Sequence, residues 1–303
     1  TNMQWIKAEL DKATADSPDK PIFVITHLNP MGTVYGSDDW GNQDIADVLK
    51  DYSNVISISG HSHYSLIDER SIWQDSFTAF TTQSLDYIEI EPGKFNTSIP
   101  KDVYGESMAD DLPACLYMEI EDGRVTVNRL EANTGKELKE PWVISAPFGS
   151  SESLSVYTDA RKEQNTAPVM PAVSEAVISD VVDIEDKLQK VISFTSASDD
   201  DFVHSYKISF KDADKNIIEF EEVDYNGEPI LYDENGNQVS ENGNKKMITE
   251  LLYFSDFVLG LDNMSETTSL RLPVSYPQNA EYAEITAIDS WGAESKSVLC
   301  KLK

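Results

Sequence analysis

Three of the chain's four histidines fall just after two short apolar runs. His27 follows Ile22-Phe23-Val24-Ile25-Thr26, and His61 and His63 follow Val55-Ile56-Ser57-Ile58-Ser59 and Gly60. Imidazole is a good ligand for Zn, Fe, Mn, Ni and Co. A lone histidine at a strand end is ordinarily a loop residue satisfied by hydrogen bonds. Three that converge on one sheet edge could instead hold metal, and Gly60 would let the backbone turn sharply just before His61 and His63. His204 stands alone later in the chain and reads as an ordinary strand residue.

The elements that must position these side chains follow from periodicity. Met3, Ile6, Leu10 and Ala13 share one face at helical spacing, and the stretch around Pro18 ends that pattern. Pro21 to Thr26 is a continuous apolar run of the kind buried on both faces of a sheet. A loop rich in Gly and Asp runs over 29–42. Ile45, Val48, Leu49 and Tyr52 then mark a second amphipathic helix, with Asn42 and Asp44 at its N-terminus. Val55 to Ser59 is the next buried strand. Strand, crossover helix and strand make a βαβ unit with parallel strands. Ligands of such sheets bind outside the carboxyl ends of the strands, where the three histidines sit.

Gly60-His61-Ser62-His63 after an apolar strand resembles the last motif, GHxH, of the calcineurin-like metallophosphoesterases. Ile25-Thr26-His27-Leu28-Asn29-Pro30 looks like the motif before it. The resemblance covers about residues 1–145. It implies the C-terminal part of an αββα sandwich, hence an α/β fold class. It also implies two divalent metal ions (Mn, Fe or Zn), with His27 and His61 on one and His63 on the other. The implied activity is hydrolysis of a phosphate mono- or diester, the two ions stabilising charge on the phosphoryl oxygens. The family's three earlier motifs do not occur in this sequence. Gly41-Asn42-Gln43-Asp44 mimics one of them, but Gln43 stands where a histidine belongs. No catalytic acid is identifiable, and the chain reads as a fragment whose partner is a missing N-terminal half of the catalytic domain. Tyr35 and Tyr64 could border a substrate pocket; Asp38, Asp39 and Trp40 share the loop with Tyr35.

After Tyr64 the pattern is of strands without helices: Ser71–Gln74, Phe77–Thr82, Tyr87–Glu91, Leu116–Glu121, Val125–Leu130 and Trp142–Ser145. Residues 146–165 read as a linker or crossing segment. The remainder, 166–303, reads as an all-β, sandwich-like domain. Val191–Thr195, Val203–Phe210, Ile217–Val223, Ser269–Val274 and Ala283–Ile288 are its strands, and Lys246–Leu259 is its one segment of helical length. Tyr282 to Gly292 loosely resembles a late strand and turn of a fibronectin-III module. Such modules accompany secreted bacterial hydrolases, which implies a secreted or cell-surface protein. Asp199-Asp200-Asp201 and Asp212-Ala213-Asp214-Lys215-Asn216 hint at calcium, but the second lacks the loop's central Gly and its final Glu, so acidic turns are the better reading.

Bulk properties narrow the field. The 303 residues suffice for two cores. A net charge of −30 disfavours nucleic acid and anionic membranes as partners. It also sets an anionic phosphate ester against an acidic surface, which a bound cation would offset locally. No run is long enough to span a bilayer. Cys115 and Cys300 fall in different expected domains, so no disulfide between them is expected. Thr1 does not look like a natural start, and the sequence opens inside an expected helix.

Overall fold

In a computed structural model the described residues are 2–89, 113–172, 175–182, 188–224 and 227–303. The chain divides into two compact units. One is Thr1–Glu89 with Ala109–Gln164, and the other is Ile90–Met108 with Asn165–Lys303.

The first unit begins with α1 (Asn2–Asp16), followed by β1 (Ile22–Thr26), a short α2 (Ser37–Trp40), α3 (Gln43–Leu49) and β2 (Val55–Ser59). Asn42 caps α3, its side chain accepting the Ile45 N–H at 3.0 Å, and Asp44 lies in the first turn. β3 (Ile72–Gln74) and β4 (Thr78–Thr81) complete a sheet of order β1-β2-β4-β3. β1, β2 and β4 are parallel, and β3 runs antiparallel to β4. β2 is buried at every position, which is why its sequence shows no alternation.

Each face of this sheet has its own cover. Leu10 of α1 and Leu49 of α3 pack with Val55, Phe77 and Ala79 on one side. On the other lie β5 (Ala114–Glu121), β6 (Arg124–Glu131) and β7 (Glu137–Ser145), an antiparallel sheet in that order. Val125, Val127, Trp142 and Ile144 pack there on Ile56, Ile58, Ile72 and Phe80. β6 shows a strict alternation, buried at Val125, Val127 and Arg129.

Arg129 is the unusual member of that inward row, being only 2% exposed. Its guanidinium donates to the Leu66 carbonyl at 2.9 Å and to Glu69 Oε1 at 3.0 Å, and it lies over the Trp142 ring. Lys139 reaches the same carboxylate at 3.1 Å and Arg161 approaches it at 3.9 Å. Burial alone would push the Glu69 carboxyl up; Arg129 and Lys139 outweigh burial and hold it below the ordinary glutamate value. The stretch 146–165, expected as a linker or crossing segment, is tied to this unit as far as Gln164. The Val143 N–H donates to the Tyr157 hydroxyl at 2.7 Å, and Arg161 donates to the Ile72 carbonyl at 2.8 Å.

The second unit contains β8 (Glu175–Val182), β9 (Leu188–Thr195), β10 (Val203–Lys211), β11 (Leu251–Phe254), β12 (Thr267–Leu272), β13 (Tyr282–Asp289) and β14 (Val298–Leu302), besides several two-residue strands left unnumbered. Their order is β11-β10-β13-β14-β8-β9-β12 in one sheet. The parallel contact of Lys301 and Leu302 with Glu175 and Ala176 joins its two antiparallel sets. Phe194, Tyr206, Ile208, Phe210, Tyr253 and Ile285 form its core. The acidic turns organise backbone: Asp199 accepts the Asp201 N–H, and Asp212 accepts those of Asp214 and Asn216.

The expected fold class is corrected on both counts. The described residues are mostly β, 40% strand against 15% helix, and do not form an α/β sandwich. Helices cover only one face of the mixed sheet. Beyond Tyr64 the sequence keeps a period of two, which builds strands and supplies no further helical layer. The second unit is a single, nearly closed, barrel-like sheet. Local alternation finds its strands but cannot show the long-range β14–β8 contact that fuses them.

Smaller corrections share that cause. Lys246–Leu259 is not helical; it contains β11, which pairs with β10, and then a 3₁₀ turn. A short apolar run reads alike for a buried strand and a buried helix. Of Ile217–Val223 only Phe220–Glu221 is strand. Tyr87 to Glu89 form no strand, and residues 90 and 91 lie outside the described residues.

Candidate metal centre

His27 sits one residue beyond β1 and His61 two beyond β2, and the register Thr26↔Ser59 brings those strand ends level. Two bonds cross-link the loops that follow. The Gly60 N–H donates to the His27 carbonyl at 3.1 Å, and the Ser59 hydroxyl donates to Asn29 Oδ1 at 2.5 Å. Asn29 is wholly buried, its backbone carbonyl accepts the Asn42 N–H at 2.7 Å, and its Nδ2 has no partner.

This framework sets His27 Nε2 3.0 Å from His61 Nδ1, with the rings edge to face. Both residues are exposed. The expected glycine turn takes another form: the left-handed residues are His61 (φ 69) and His63 (φ 53) themselves. A side chain there is strained, and such strain is concentrated at functional sites. Between them Ser62 is fully buried, with its hydroxyl 3.4 Å from that of Thr81.

His63 does not join the pair. Its ring lies against Tyr87, centroids 4.5 Å apart, and its Nδ1 is buried without a partner. Among the described residues no group of three His, Cys, Asp or Glu is placed to hold a metal ion. At that separation one ring nitrogen donates to the other, the direction set by their tautomers, and these two nitrogens are the imidazole donors that a cation would take here. The pair suits two adjacent positions on one ion. A dinuclear site needs a carboxylate to offset the repulsion of two close dications, and the described residues do not supply that set.

Trp40 lies against Tyr64, ring centroids 5.7 Å apart, and Tyr64 packs in turn on Tyr35. The two tyrosine rings stack at 3.8 Å, and the Arg70 guanidinium lies 3.7 Å from the Tyr35 ring. At such distances Tyr64 and Arg70 must occupy opposite faces of Tyr35, so neither face is open to a ligand. Tyr64 is 2% exposed, and burial, with Glu89 and Asp39 nearby, pushes its phenol up. Arg70 is held in turn by the buried Asp68 carboxylate at 2.6 Å. These two tyrosines fix the loop over 29–42. Trp40, in that loop, presents its ring edge-on to His61 with centroids 6.3 Å apart. Asn29, Ser59 and Arg70 carried no assigned role in the sequence, because what they do depends on neighbours distant along the chain.

Gly36 tests this arrangement. Its φ is 80°, and a Cβ there would lie 2.5 Å from the Tyr64 ring. Gly36→Ala is expected to cost about 1–3 kcal/mol, from the left-handed backbone and an overpacked contact. Chemical denaturation measures the loss, and Trp40 fluorescence should report displacement of the loop.

A scan against protein-family models found no match, nor did searches of curated proteins and of solved structures. The functional reading accordingly rests on the site itself.

Proposed function

We propose that this chain holds one divalent transition-metal ion through His27 and His61, and so supplies part of a metal-dependent phosphoesterase site. One observation carries the reading: two exposed imidazole nitrogens face each other at 3.0 Å, at the carboxyl ends of adjacent parallel strands. A divalent ion there would supply positive charge against a phosphoryl oxygen, as a Lewis acid. In a chain of net charge −30 that local charge is what would draw in a phosphate mono- or diester. The protein's own part is to hold two neutral ligands and shape one wall with Trp40. The carboxylate that a second ion requires would come from another polypeptide segment, the complementing half of the catalytic domain. No helix among the described residues is long and apolar enough to cross a membrane.

The second reading is a non-catalytic binding fragment that retains a metal-holding pair. It is favoured because, among the described residues, no third His, Cys, Asp or Glu is grouped with the two histidines.

Zinc titration followed by imidazole NMR separates these readings from no metal role at all. The expected result is one weakly held ion per chain, moving the ring signals of His27 and His61. A chromogenic phosphate mono- or diester, offered with Mn, Zn or Fe(II), should be turned over negligibly by this chain alone. Unmoved ring signals would remove both readings. Full hydrolysis by the 303-residue chain would show that the site is complete without further ligands.

A further inference from the structure

One tetrapeptide occurs twice in the second unit, as Glu234-Asn235-Gly236-Asn237 and as Glu241-Asn242-Gly243-Asn244. Asn235 and Asn242 are both exposed. Asparagine before glycine is chemically labile, because glycine has no side chain to keep its nitrogen away from the asparagine amide. Local sequence gives the two copies the same lability, and the folded backbone tells them apart.

In the first copy Asp233 holds the whole turn. Its carboxylate accepts the N–H groups of Asn235 and Asn237, each at 2.8 Å, and its carbonyl accepts the Gly236 N–H at 3.1 Å. The left-handed residue there is Gly236, with φ 83°. In the second copy it is Asn242, with φ 58°, a conformation that asparagine tolerates. Leu231–Tyr232 is the middle strand of a three-stranded sheet, between Gln238–Val239 and Asn244–Lys245. The Asp233 N–H donates to the Asn237 carbonyl on the first side. By strand alternation the main chain of Tyr232 then faces its partner Asn244 on the second. The Gly243 N–H therefore points to the free side of Asn244–Lys245. Among the described residues neither that N–H nor the Asn242 side chain has a hydrogen-bond partner. Glycine is nonetheless required at 243, since a Cβ would lie 2.6 Å from Val239 Cγ2 and 2.8 Å from Leu231 Cβ.

We propose that Asn242 is a site of spontaneous covalent modification from which Asn235 is protected by its turn. The Gly243 nitrogen, having lost its proton to base, bonds to Asn242 Cγ. The Cγ–Nδ2 bond breaks, and the amide nitrogen leaves as ammonia. Water then opens the resulting cyclic imide at either carbonyl, giving aspartate or isoaspartate. Either product adds a negative charge to a chain already at −30. Isoaspartate also lengthens the main chain by one carbon just before Asn244, which breaks the register Tyr232↔Asn244 and Leu231↔Lys245. The close packing that demands Gly243 thus also limits the lifetime of its own sheet.

The test follows the full chain by peptide mass spectrometry during incubation at mildly alkaline pH. Asn242 should convert about tenfold or more faster than Asn235, whose turn must open before it reacts. In urea the two rates should become equal. Equal rates in the folded chain, or a faster Asn235, would overturn the assignment. So would a difference that persists unchanged in urea, which would trace it to flanking sequence instead of the fold. Asp233→Ala should release Asn235 and bring its rate close to that of Asn242; an Asn235 rate left unchanged would refute the protective role of the turn. Amide exchange at Tyr232 should quicken by about tenfold or more in the isoaspartyl form and stay as it is in Asn242→Asp. Unaltered exchange in the isoaspartyl form would overturn the effect on register.

Discussion

Glu69→Gln is expected to lower the stability of the first unit by about 3–5 kcal/mol, the usual cost of removing one partner of a buried ion pair. Glu69 is the sole carboxylate paired to Arg129 among the described residues, and Lys139 and Arg161 converge on it as well. Without its charge the Arg129 guanidinium, 2% exposed, would be buried with no counterion beside two further cations. The hydrogen bonds of Arg129 to the Leu66 and Glu140 carbonyls keep it in place, so it cannot swing out to water. Urea denaturation followed by Trp142 fluorescence would measure the loss.

The pH dependence gives a second readout of the same cluster. Glu69 titrates below the ordinary glutamate value in the folded chain. Its stabilising contribution is therefore complete above about pH 4.3, the unfolded value. It is lost as pH falls through the lower folded value. The gap between the native protein and Glu69→Gln should stay constant from neutrality to about pH 5 and narrow below about pH 4. A gap that widened in acid would refute the assignment of charge to Glu69.

The histidines give the second large effect. His27→Ala and His61→Ala should each reduce zinc affinity by more than the roughly 10–100-fold that loss of an outer-shell partner costs, because each removes one of only two protein ligands. His63→Ala should leave zinc affinity unchanged, since its ring lies against Tyr87 and away from the pair. The residue motif alone expects all three to matter. Calorimetric titration of the three variants decides between motif and geometry. Equal losses in all three would show that His63 swings into the site when metal binds.

Much of the site's placement was legible because it depends on short-range signals. The apolar runs at 22–26 and 55–59 gave two strands, and their crossover helix made them parallel; only the second is buried throughout, because β1 lies at the end of the sheet and leaves Ile25 exposed. Asn42 was legible as a cap because its side chain serves the N–H three residues on. The roles of Tyr35 and Tyr64 were not. Whether a loop tyrosine faces a ligand or is sealed on both sides depends on Arg70, which arrives from thirty-odd residues away in sequence with its own buried carboxylate.

By itself, then, the sequence determined the first two strands, the helix between them with its Asn42 cap, and that His27 and His61 reach one edge of a parallel pair. Those are consequences of local periodicity and of the handedness of a βαβ unit. Only the tertiary structure decided the rest. It turned His63 toward Tyr87, gathered three cations on Glu69, left Ile25 exposed on the outermost described strand, and joined the strands of the second unit into one nearly closed sheet. Each of these turns on which distant segments meet, and a residue's own neighbours in the chain carry no record of that.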